Sequence, residues 1–362
     1  MPTATGGSAE GTGMRKLLLL GTGGIAAHHI AEFAAIPECM IVACVDLAPG
    51  RAGTFAAKNG LRHHFESLEE AISWGGFDAA INCTPDGVHK ATTLALIAAG
   101  KHVLCEKPLA PSFADALAMT EAAEAAGLVN MVNLTYRNSP AIQQARKMVE
   151  AGEIGELRHV EAAYRQSWLV SKAWGDALAE PQWLWRQSTA HGSTGVLGDV
   201  GIHILDFASF GAADDFASIK AELVTFPKVE GDRVGEYVLD ANDSVAMTAR
   251  LKSGALATVV ATRFATGHLN ELSLSLHGTR GALKVETDGH ASSLHACLGK
   301  DIDTSRWRKL RTPAVRRNAR RFADALVSGE NADPSFRRAA EIQKLIDAAF
   351  QSSASDRKVA VG

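Results

Sequence analysis

The chain has 362 residues, of which 46% are hydrophobic and 21% charged, and its formal net charge is -3. This length exceeds the roughly 250 to 300 residues that one hydrophobic core usually supports, so two domains are expected. The small negative net charge argues against a nucleic acid or an anionic membrane surface as the main partner. No apolar run approaches the roughly 20 residues of a membrane span, so we expect no membrane partner.

The cysteine and histidine patterns bear on redox compartment and metal binding. Three of the five cysteines lie in apolar runs and none forms a CxxC pair, which favours a reducing cytoplasm. The apolar run after Met14 is cut at Gly21 and so does not make a signal peptide. The histidine pairs at 28–29 and 63–64 lack further ligands at metal spacing, so no metal is predicted. Residues 1–13, rich in Gly, Thr, Ser and Ala, predict a disordered tail.

Residues 14–138 alternate short apolar runs with Ala-rich helical stretches. This alternation predicts βαβ units around a parallel sheet. Strands are predicted at 16–20, 40–45, 79–82, 102–105 and 129–132. Helices are predicted at 25–35, 89–99 and 112–126.

Residues 139–362 predict a second domain of a different kind. After a helix at 142–151, alternating segments at 158–164, 244–251, 255–262, 271–276 and 282–286 predict a large, mostly antiparallel open-faced sheet. Two further helices are predicted at 315–327 and 336–349. The fold class is therefore α/β, with a parallel-sheet domain followed by an α+β domain. Alternation in 256–260 and 272–276 suggests a free apolar face, so we expect a homodimer or homotetramer.

A glycine-rich turn follows the first predicted strand. Gly21 permits a tight turn, Gly23 allows close approach of a pyrophosphate, and Ala26 lets helix and strand pack closely. Gly24 and Ile25 open the helix whose N-H groups would face the phosphates. These five residues are predicted to bind the cofactor.

Asp46 bears on which dinucleotide binds. It stands at the end of the second predicted strand, where its carboxylate would accept bonds from a ribose diol and repel a 2'-phosphate. NAD is therefore favoured over NADP. Arg51 is the counterargument, because a guanidinium five residues later could pair with that phosphate.

Glu106-Lys107-Pro108 follows a strand of the predicted parallel sheet, whose carboxyl end borders the ligand crevice. Together with the glycine turn and a later Asp199-Val200-Gly201-Ile202-His203, it resembles the glucose-fructose oxidoreductase/inositol dehydrogenase/rhizopine-catabolism oxidoreductase family. The resemblance implies an NAD(P)-dependent oxidoreductase that transfers a hydride between nicotinamide and a secondary carbinol of a sugar, cyclitol or related polyol. It also implies that residues 14–138 form a Rossmann dinucleotide-binding domain and that residues 139–362 form an α+β domain for substrate binding and oligomerisation.

The resemblance also implies further residues at the cofactor. The segment that holds Thr84, Pro85 and His89 resembles a family element at the next strand end, although Asp86 departs from the family's Asn. Glu106 and Lys107 are expected beside the cofactor. Arg137 matches the family's Arg-x-x-Pro element and is expected at the cofactor or the substrate, with a structural interdomain ion pair as the alternative.

Hydride transfer from an alcohol needs a base and a group that stabilises a developing alkoxide. His203 is predicted as the base, and Lys107 as the donor to the carbinol oxygen. Asp199 lies four residues before His203, a spacing that stacks side chains on one helix face. It is predicted either to reach the substrate or to orient the imidazole.

The segment before this motif supplies candidate substrate residues. Four tryptophans precede the loop, and aromatic faces stack on the C-H faces of sugar rings; the alternative is a core or interface role. Where the family usually shows glycines, this chain has Ser193 and Thr194. The predicted substrate residues are Tyr136, Trp185, Arg186, Ser193 and Thr194.

Two other functions remain open at this point. An NAD-dependent glycosidase of related fold would oxidise a sugar transiently and release product without net cofactor reduction. A cofactor-binding regulator would have lost catalysis, and retention of Lys107, Asp199 and His203 argues against it.

Overall fold

The computed structural model describes residues 13–331 and 333–361, so nearly all of the predicted tail lies outside the described residues. Contacts divide the chain into two compact units that are discontinuous in sequence. The first comprises the described residues up to Glu106 together with Glu121–Met131 and Ala319–Asp333. The second comprises Lys107–Thr120, Val132–Asn318 and the residues from Pro334 onward. The division of the chain into two continuous domains, 14–138 and 139–362, therefore remains a prediction.

A six-stranded sheet with the order β3-β2-β1-β4-β5-β6 forms the centre of the first unit. The pairings among β1 to β5 are all parallel. The strands are β1 (Arg15–Leu20), β2 (Cys39–Val45), β3 (His63–Phe65), β4 (Ala79–Asn82), β5 (His102–Cys105) and β6 (Asn130–Val132). The helices are α1 (Gly24–Ala34), α2 (Arg51–Asn59), α3 (Leu68–Trp74), α4 (His89–Ala98) and α5 (Phe113–Ala125).

The burial of β1 explains why its sequence is continuously apolar. Leu17, Leu18 and Leu19 are fully buried, as expected for a strand of a parallel sheet that is covered on both faces. Phe322 and Leu326, late in the chain, join the same hydrophobic core as Leu17 and Leu19.

The second unit contains a nine-stranded sheet with the order β16-β15-β14-β13-β7-β12-β11-β8-β17. Only the β7–β12 pair is parallel in this sheet. The strands are β7 (Leu157–Gln166), β8 (Phe216–Val224), β11 (Ser244–Leu251), β12 (Leu256–Thr262), β13 (Asn270–Gly278), β14 (Gly281–Thr287), β15 (Ser292–Leu298), β16 (Arg308–Leu310) and β17 (Val359–Ala360). A separate hairpin joins β9 (Arg233–Val234) to β10 (Tyr237–Val238).

The helices of the chain after β6 complete the fold. They are α6 (Pro140–Glu150), α7 (Pro181–Leu184), α8 (Ile202–Ala212), α9 (Asn318–Ser328) and α10 (Phe336–Ser355). Helices α6, α8 and α10 pack on the nine-stranded sheet, while α9 belongs mainly to the first unit. The predicted fold class is confirmed. Within residues 13–331 and 333–361, no helix is long and apolar enough to cross a membrane.

The burial of the large sheet corrects the expectation that residues 272–276 belong to a free apolar face. Leu272, Leu274 and Leu276 are fully buried within the unit, so their alternation does not mark a free apolar face. Leu256 and Val260 are exposed, but Ser273 and Ser275 alternate with the buried leucines. The open face is therefore more polar than the sequence pattern suggests.

Candidate active site

The turn between β1 and α1 has the geometry of a dinucleotide-binding loop. Gly21 has a φ of +87°, and a Cβ there would lie 2.8 Å from the carbonyl oxygen of Cys83, so only glycine fits. Gly23 caps α1 without a side-chain hydrogen bond, and a Cβ at Gly23 or Gly24 would meet open space. Ala26, in the first turn of α1, is fully buried, while Ile25 beside it is exposed. The turn thus presents accessible backbone N-H groups at a helix N-terminus, which fits a pyrophosphate.

Asp46 is held at the end of β2 by three donors. Its carboxylate accepts bonds from the Thr22 backbone N at 2.9 Å and hydroxyl at 2.6 Å, and from the Ala48 backbone N at 3.0 Å. The Nε atom of Arg51 lies 3.5 Å from the same carboxylate. Burial alone would raise the pKa of Asp46, but these hydrogen bonds and Arg51 lower it instead. Asp46 is therefore an anion beside the turn, as NAD selection requires.

The residues that follow β4 form a closely bonded turn. Thr84 donates through its backbone N and its hydroxyl to the side chain of Asn82, and Pro85 precedes a short 3-10 turn. The Nε2 atom of His89 lies 2.7 Å from the carbonyl oxygen of Thr84, and His89 is fully buried. In this geometry His89 supports the turn through the Thr84 carbonyl, and Thr84 is the less buried of the two residues.

Glu106 is tied to the helix that begins at the glycine turn. The Nε2 atom of His29 lies 2.8 Å from Oε1 of Glu106, and the His29 side chain is 1% exposed. The Glu106 backbone N also donates to the carbonyl of Asn82. These bonds fix the end of β5 immediately before Lys107.

Arg137 forms a buried ion pair. Its Nε and Nη2 atoms each lie 2.7 Å from an oxygen of Asp206 on α8, and its guanidinium stacks 3.7 Å from the ring centre of Phe210. Arg338 adds a second cation to Asp206. Bidentate contacts in a buried setting favour the structural ion pair over the cofactor role for Arg137. Because all these residues belong to the second unit, the pair does not join two domains.

Lys107 and two arginines of the second unit meet at Asp199. The Nζ atom of Lys107 lies 3.2 Å from Oδ1 of Asp199 and 3.1 Å from its carbonyl oxygen. Oδ2 accepts from Arg263 at 3.1 Å and from Arg186 at 3.4 Å. Burial would raise the pKa of Asp199, but the three cations hold it far below its usual range. Asp199 is therefore an anion at any working pH.

A π-helical turn at Leu197–Gly201 leads into α8 and carries Asp199. Every residue of α8 is buried, including His203, which is 7% exposed. The ring of His203 lies 5.0 Å from that of Tyr136 and 6.3 Å from that of Tyr164. π-Helical turns are rare and often occur at functional sites, so this entry to α8 distinguishes the segment from an ordinary surface helix.

Lys107, Asp199 and His203 border one cavity of about 230 Å³ within the second unit. Tyr164 and Gln166 line it from the end of β7, and Arg186 lines it from the segment before the π-helical turn. The remaining lining residues are Trp168, Trp174, Trp183 and Val200. The three predicted catalytic side chains thus converge on a single space with aromatic walls.

The tyrosines beside the cavity are bound in a polar network. The Tyr136 and Tyr164 hydroxyl oxygens lie 2.6 Å apart, and both bond Asn270, at 3.1 Å and 2.8 Å. Gln166 donates to Tyr164 and Asn270. Burial raises the pKa of both tyrosines, so each keeps its proton at neutral pH.

The predicted substrate residues divide into two groups. Arg186 lines the cavity, whereas Tyr136 lies behind the lining, with its ring against those of His203 and Tyr164. Trp185 is 37% exposed with its ring 4.6 Å from the Arg186 guanidinium, and Ser193 donates to the Arg186 carbonyl. Thr194 packs against Gly198. The structure does not place these last three, Trp185, Ser193 and Thr194, around the cavity.

Sequence reasoning missed Arg263 and Gln166. They stand just after β12 and at the end of β7, and because these strands are parallel neighbours their carboxyl ends meet at one edge of the sheet. A polar residue at the end of each strand was the available signal. Among residues 13–331 and 333–361, no group of three or more side chains is arranged to hold a metal ion.

Comparison with known proteins identifies the family. The model of the oxidoreductase family with an NAD-binding Rossmann fold matches residues 15–134, and that of the GFO/IDH/MocA C-terminal domain matches residues 142–284. The chain belongs to the GFO/IDH/MocA family. This GFO/IDH/MocA protein is therefore an oxidoreductase that binds NAD, as the sequence motifs predicted.

Individual relatives of this GFO/IDH/MocA protein are similar over most of its length. Levoglucosan dehydrogenase of Pseudarthrobacter phenanthrenivorans is 26% identical over 95% of this chain and 97% of its own. 1,5-Anhydro-D-fructose reductase of Ensifer adhaerens is 30% identical over 75% of each chain. A structure of levoglucosan dehydrogenase in complex with NADH and L-sorbose superposes with a TM-score of 0.86 at 25% identity, over 96% of this chain and 99% of that one.

Proposed function

We propose that this protein catalyses NAD-dependent oxidation of a secondary alcohol of a sugar, cyclitol or related polyol, or the reverse reduction. The observation that carries the proposal is the convergence of Lys107, Asp199 and His203 on one cavity lined by three tryptophans. The relatives named as levoglucosan dehydrogenase, 1,5-anhydro-D-fructose reductase and inositol 2-dehydrogenase of Rhizobium meliloti support a substrate of this class.

The proton of the substrate hydroxyl goes to His203 in this mechanism. An imidazole titrates near neutral pH, whereas Asp199 is held as an anion and Tyr136 and Tyr164 hold their protons. His203 is therefore the group at this cavity that can change its protonation during turnover.

Lys107 stabilises negative charge on the carbinol oxygen. Its ammonium donates to the carbonyl oxygen and to Oδ1 of Asp199, and these two bonds fix it at the cavity wall. A fixed donor of this kind stabilises charge that develops in the transition state without reorganising. Nicotinamide, when bound, accepts or supplies the hydride.

The residues that hold NAD belong to the first unit in this proposal. Gly21, Gly23, Gly24, Ile25 and Ala26 supply the pyrophosphate turn, and Asp46 supplies the ribose contact. Thr84, Pro85 and Glu106 border the cofactor, while His89 acts through the Thr84 turn. Trp168, Trp174 and Trp183 stack on the C-H faces of the substrate ring.

The assembly and location of the protein are further proposals. We infer a homo-oligomer, because the large sheet leaves one face uncovered by helices of its own unit and exposes Leu256 and Val260 there. We infer a cytoplasmic location from the five cysteines, which are free and buried. A monomeric mass by light scattering at micromolar concentration would contradict the assembly.

A screen of polyols and aldoses with NAD, followed by nicotinamide absorbance, tests the proposed reaction. Reduction of NAD that depends on a sugar or cyclitol supports a dehydrogenase. Release of an aglycone from a glycoside without net reduction would favour the glycosidase. NAD binding without turnover of any substrate would favour the regulator.

A further inference from the structure

Arg186 is a cavity-lining cation whose charge the fold does not need. Its backbone carbonyl accepts bonds from Ser193 and Arg263, so the loop is held by the main chain. The guanidinium lies 4.6 Å from the Trp185 ring centre and 6.0 Å from that of Trp183, and the side chain is 34% exposed. A cation fixed on aromatic rings at a cavity wall is placed to meet a ligand.

The carboxylate nearest to Arg186 is already engaged. Oδ2 of Asp199 is 3.1 Å from the fully buried Arg263 but 3.4 Å from Arg186, and Oδ1 pairs with Lys107. Three cations thus share one negative charge. Within the described part of the chain, Asp199 is the only carboxylate in ion-pair contact with Arg186.

Asp243 does not neutralise the excess positive charge of Lys107, Arg186 and Arg263. Asp243 acts electrostatically on Arg263, but Lys228 pairs with the Asp243 carboxylate at 2.7 Å, and both of these side chains are buried. The tryptophans, Tyr164 and Gln166 that form the rest of the cavity wall carry no charge. The cavity therefore has surplus positive charge, and its low-dielectric walls strengthen the resulting field.

We propose that the substrate is an anionic sugar or polyol whose carboxylate or phosphate group is bound by Arg186. A guanidinium fork matches either anion in a bidentate manner. The tryptophan rings stack on the C-H faces of the sugar, while Lys107 donates to the carbinol oxygen and His203 accepts the proton of the hydroxyl. This inference rests on the proposed dehydrogenase function and narrows its substrate class.

Matched substrates test the inference. Values of kcat/KM with NAD are compared for D-glucose, D-glucuronate and D-glucose 6-phosphate, with D-galactose and D-galacturonate as a second series. We expect the carboxylated or the phosphorylated compound to exceed its neutral parent by about tenfold or more, since hydrogen bonds to charged groups contribute that much. The better of the two arms identifies the anion.

Variants separate Arg186 from a general charge effect. Arg186→Met should reduce the preference for the anionic compound toward unity, whereas Arg158→Met, at an exposed site, should retain it. NADH binding and urea unfolding of both variants should match wild type. Equal use of neutral and anionic sugars by wild type, or a preference that survives Arg186→Met, would overturn the inference.

Binding measurements decide the case if no sugar is turned over. Calorimetric titration of the NADH-loaded protein with the same compounds should show anion preference that Arg186→Met removes. Absence of such preference overturns the inference. Preference without turnover would instead support it while contradicting the proposed reaction.

Discussion

The Thr194 side chain occupies the space that a Cβ at Gly198 would require. Gly198 stands four residues after Thr194 in the sequence. The two residues fit each other, because the larger side chain at one position needs the smallest residue at the other. The π-helical turn that presents Asp199 depends on this packing.

Gly198→Ala should therefore destabilise the protein by about 1 to 3 kcal/mol through overpacking. Thr194→Gly should relieve most of that loss in the double variant, because it removes the colliding atoms. Urea unfolding of the two single variants and the double variant measures the coupling. Strictly additive effects would show that the segment shifts to accommodate the extra methyl group.

Asp46→Ala should narrow the preference for NAD over NADP. The Asp46 anion would repel a 2'-phosphate by roughly 4 kcal/mol at an effective dielectric near 20, before screening. In the variant, Arg51 loses its carboxylate partner and becomes available to a phosphate. Fluorescence titration with NADH and NADPH checks this, with Asp46→Ala/Arg51→Gln as the control that should weaken NADPH again. Tighter NADPH binding by wild type would contradict the assignment.

His203→Ala should lower turnover by roughly 10²- to 10⁴-fold, the usual contribution of a positioned base. Lys107→Ala should cost roughly 10²- to 10³-fold, as for loss of an oxyanion donor. Neither change touches the glycine turn, so NADH affinity should persist in both. Steady-state kinetics and NADH titration provide the two measurements. Near wild-type turnover by His203→Ala would require another proton acceptor.

The pH profile distinguishes His203 from Asp199. Oxidation should increase with pH as the coupled set of His203, Asp199 and Lys107 loses one proton. The apparent pKa of that step is a property of the set and not of one residue. Because the pKa of Asp199 is held far below its usual range, its protonation should not contribute above pH about 5. Asp199→Asn should therefore lower the rate but keep an acid limb, whereas His203→Ala should lose that limb. Loss of the limb in Asp199→Asn alone would reverse the assignment.

Asp206→Asn should destabilise the protein by about 3 to 5 kcal/mol at pH 7, because Arg137 and Arg338 would lose the buried carboxylate that they share, although Arg338 keeps its contact with Asp215. Burial opposes ionisation of Asp206, but the two arginines lower its pKa in the folded state. Its contribution is thus fully present above the unfolded pKa of about 3.9 and is lost as pH falls through the folded value. Urea unfolding of both proteins from pH 7 to 3.5 should show the difference narrowing at the acid end. A constant difference would contradict this linkage.

Local patterns predicted much of the fold, and long-range contacts explain what they missed. The strands 79–82 and 102–105 were predicted with the observed bounds, because apolar runs followed by polar turns specify them locally. The short edge strands β16 and β17 were not predicted, since short strands depend on their partners, and the interior strands β8 and β15 were missed as well. Arg263 lies 64 residues from Asp199 in sequence, so no local pattern connects them. The π-helical turn at Leu197–Gly201 was also not predicted, because the spacing of Asp199 and His203 was interpreted as that of an ordinary α-helix.

The anchoring of α8 has a consequence for how new specificities arise. Asp206, three residues after His203, is clamped by Arg137 and Arg338, and neither arginine lines the cavity. The loop that carries Trp174, Trp183 and Arg186 can therefore accumulate substitutions while the imidazole stays in place. Duplicated copies of such a gene can explore new substrates by changing one loop, without having to rebuild the proton-transfer step each time.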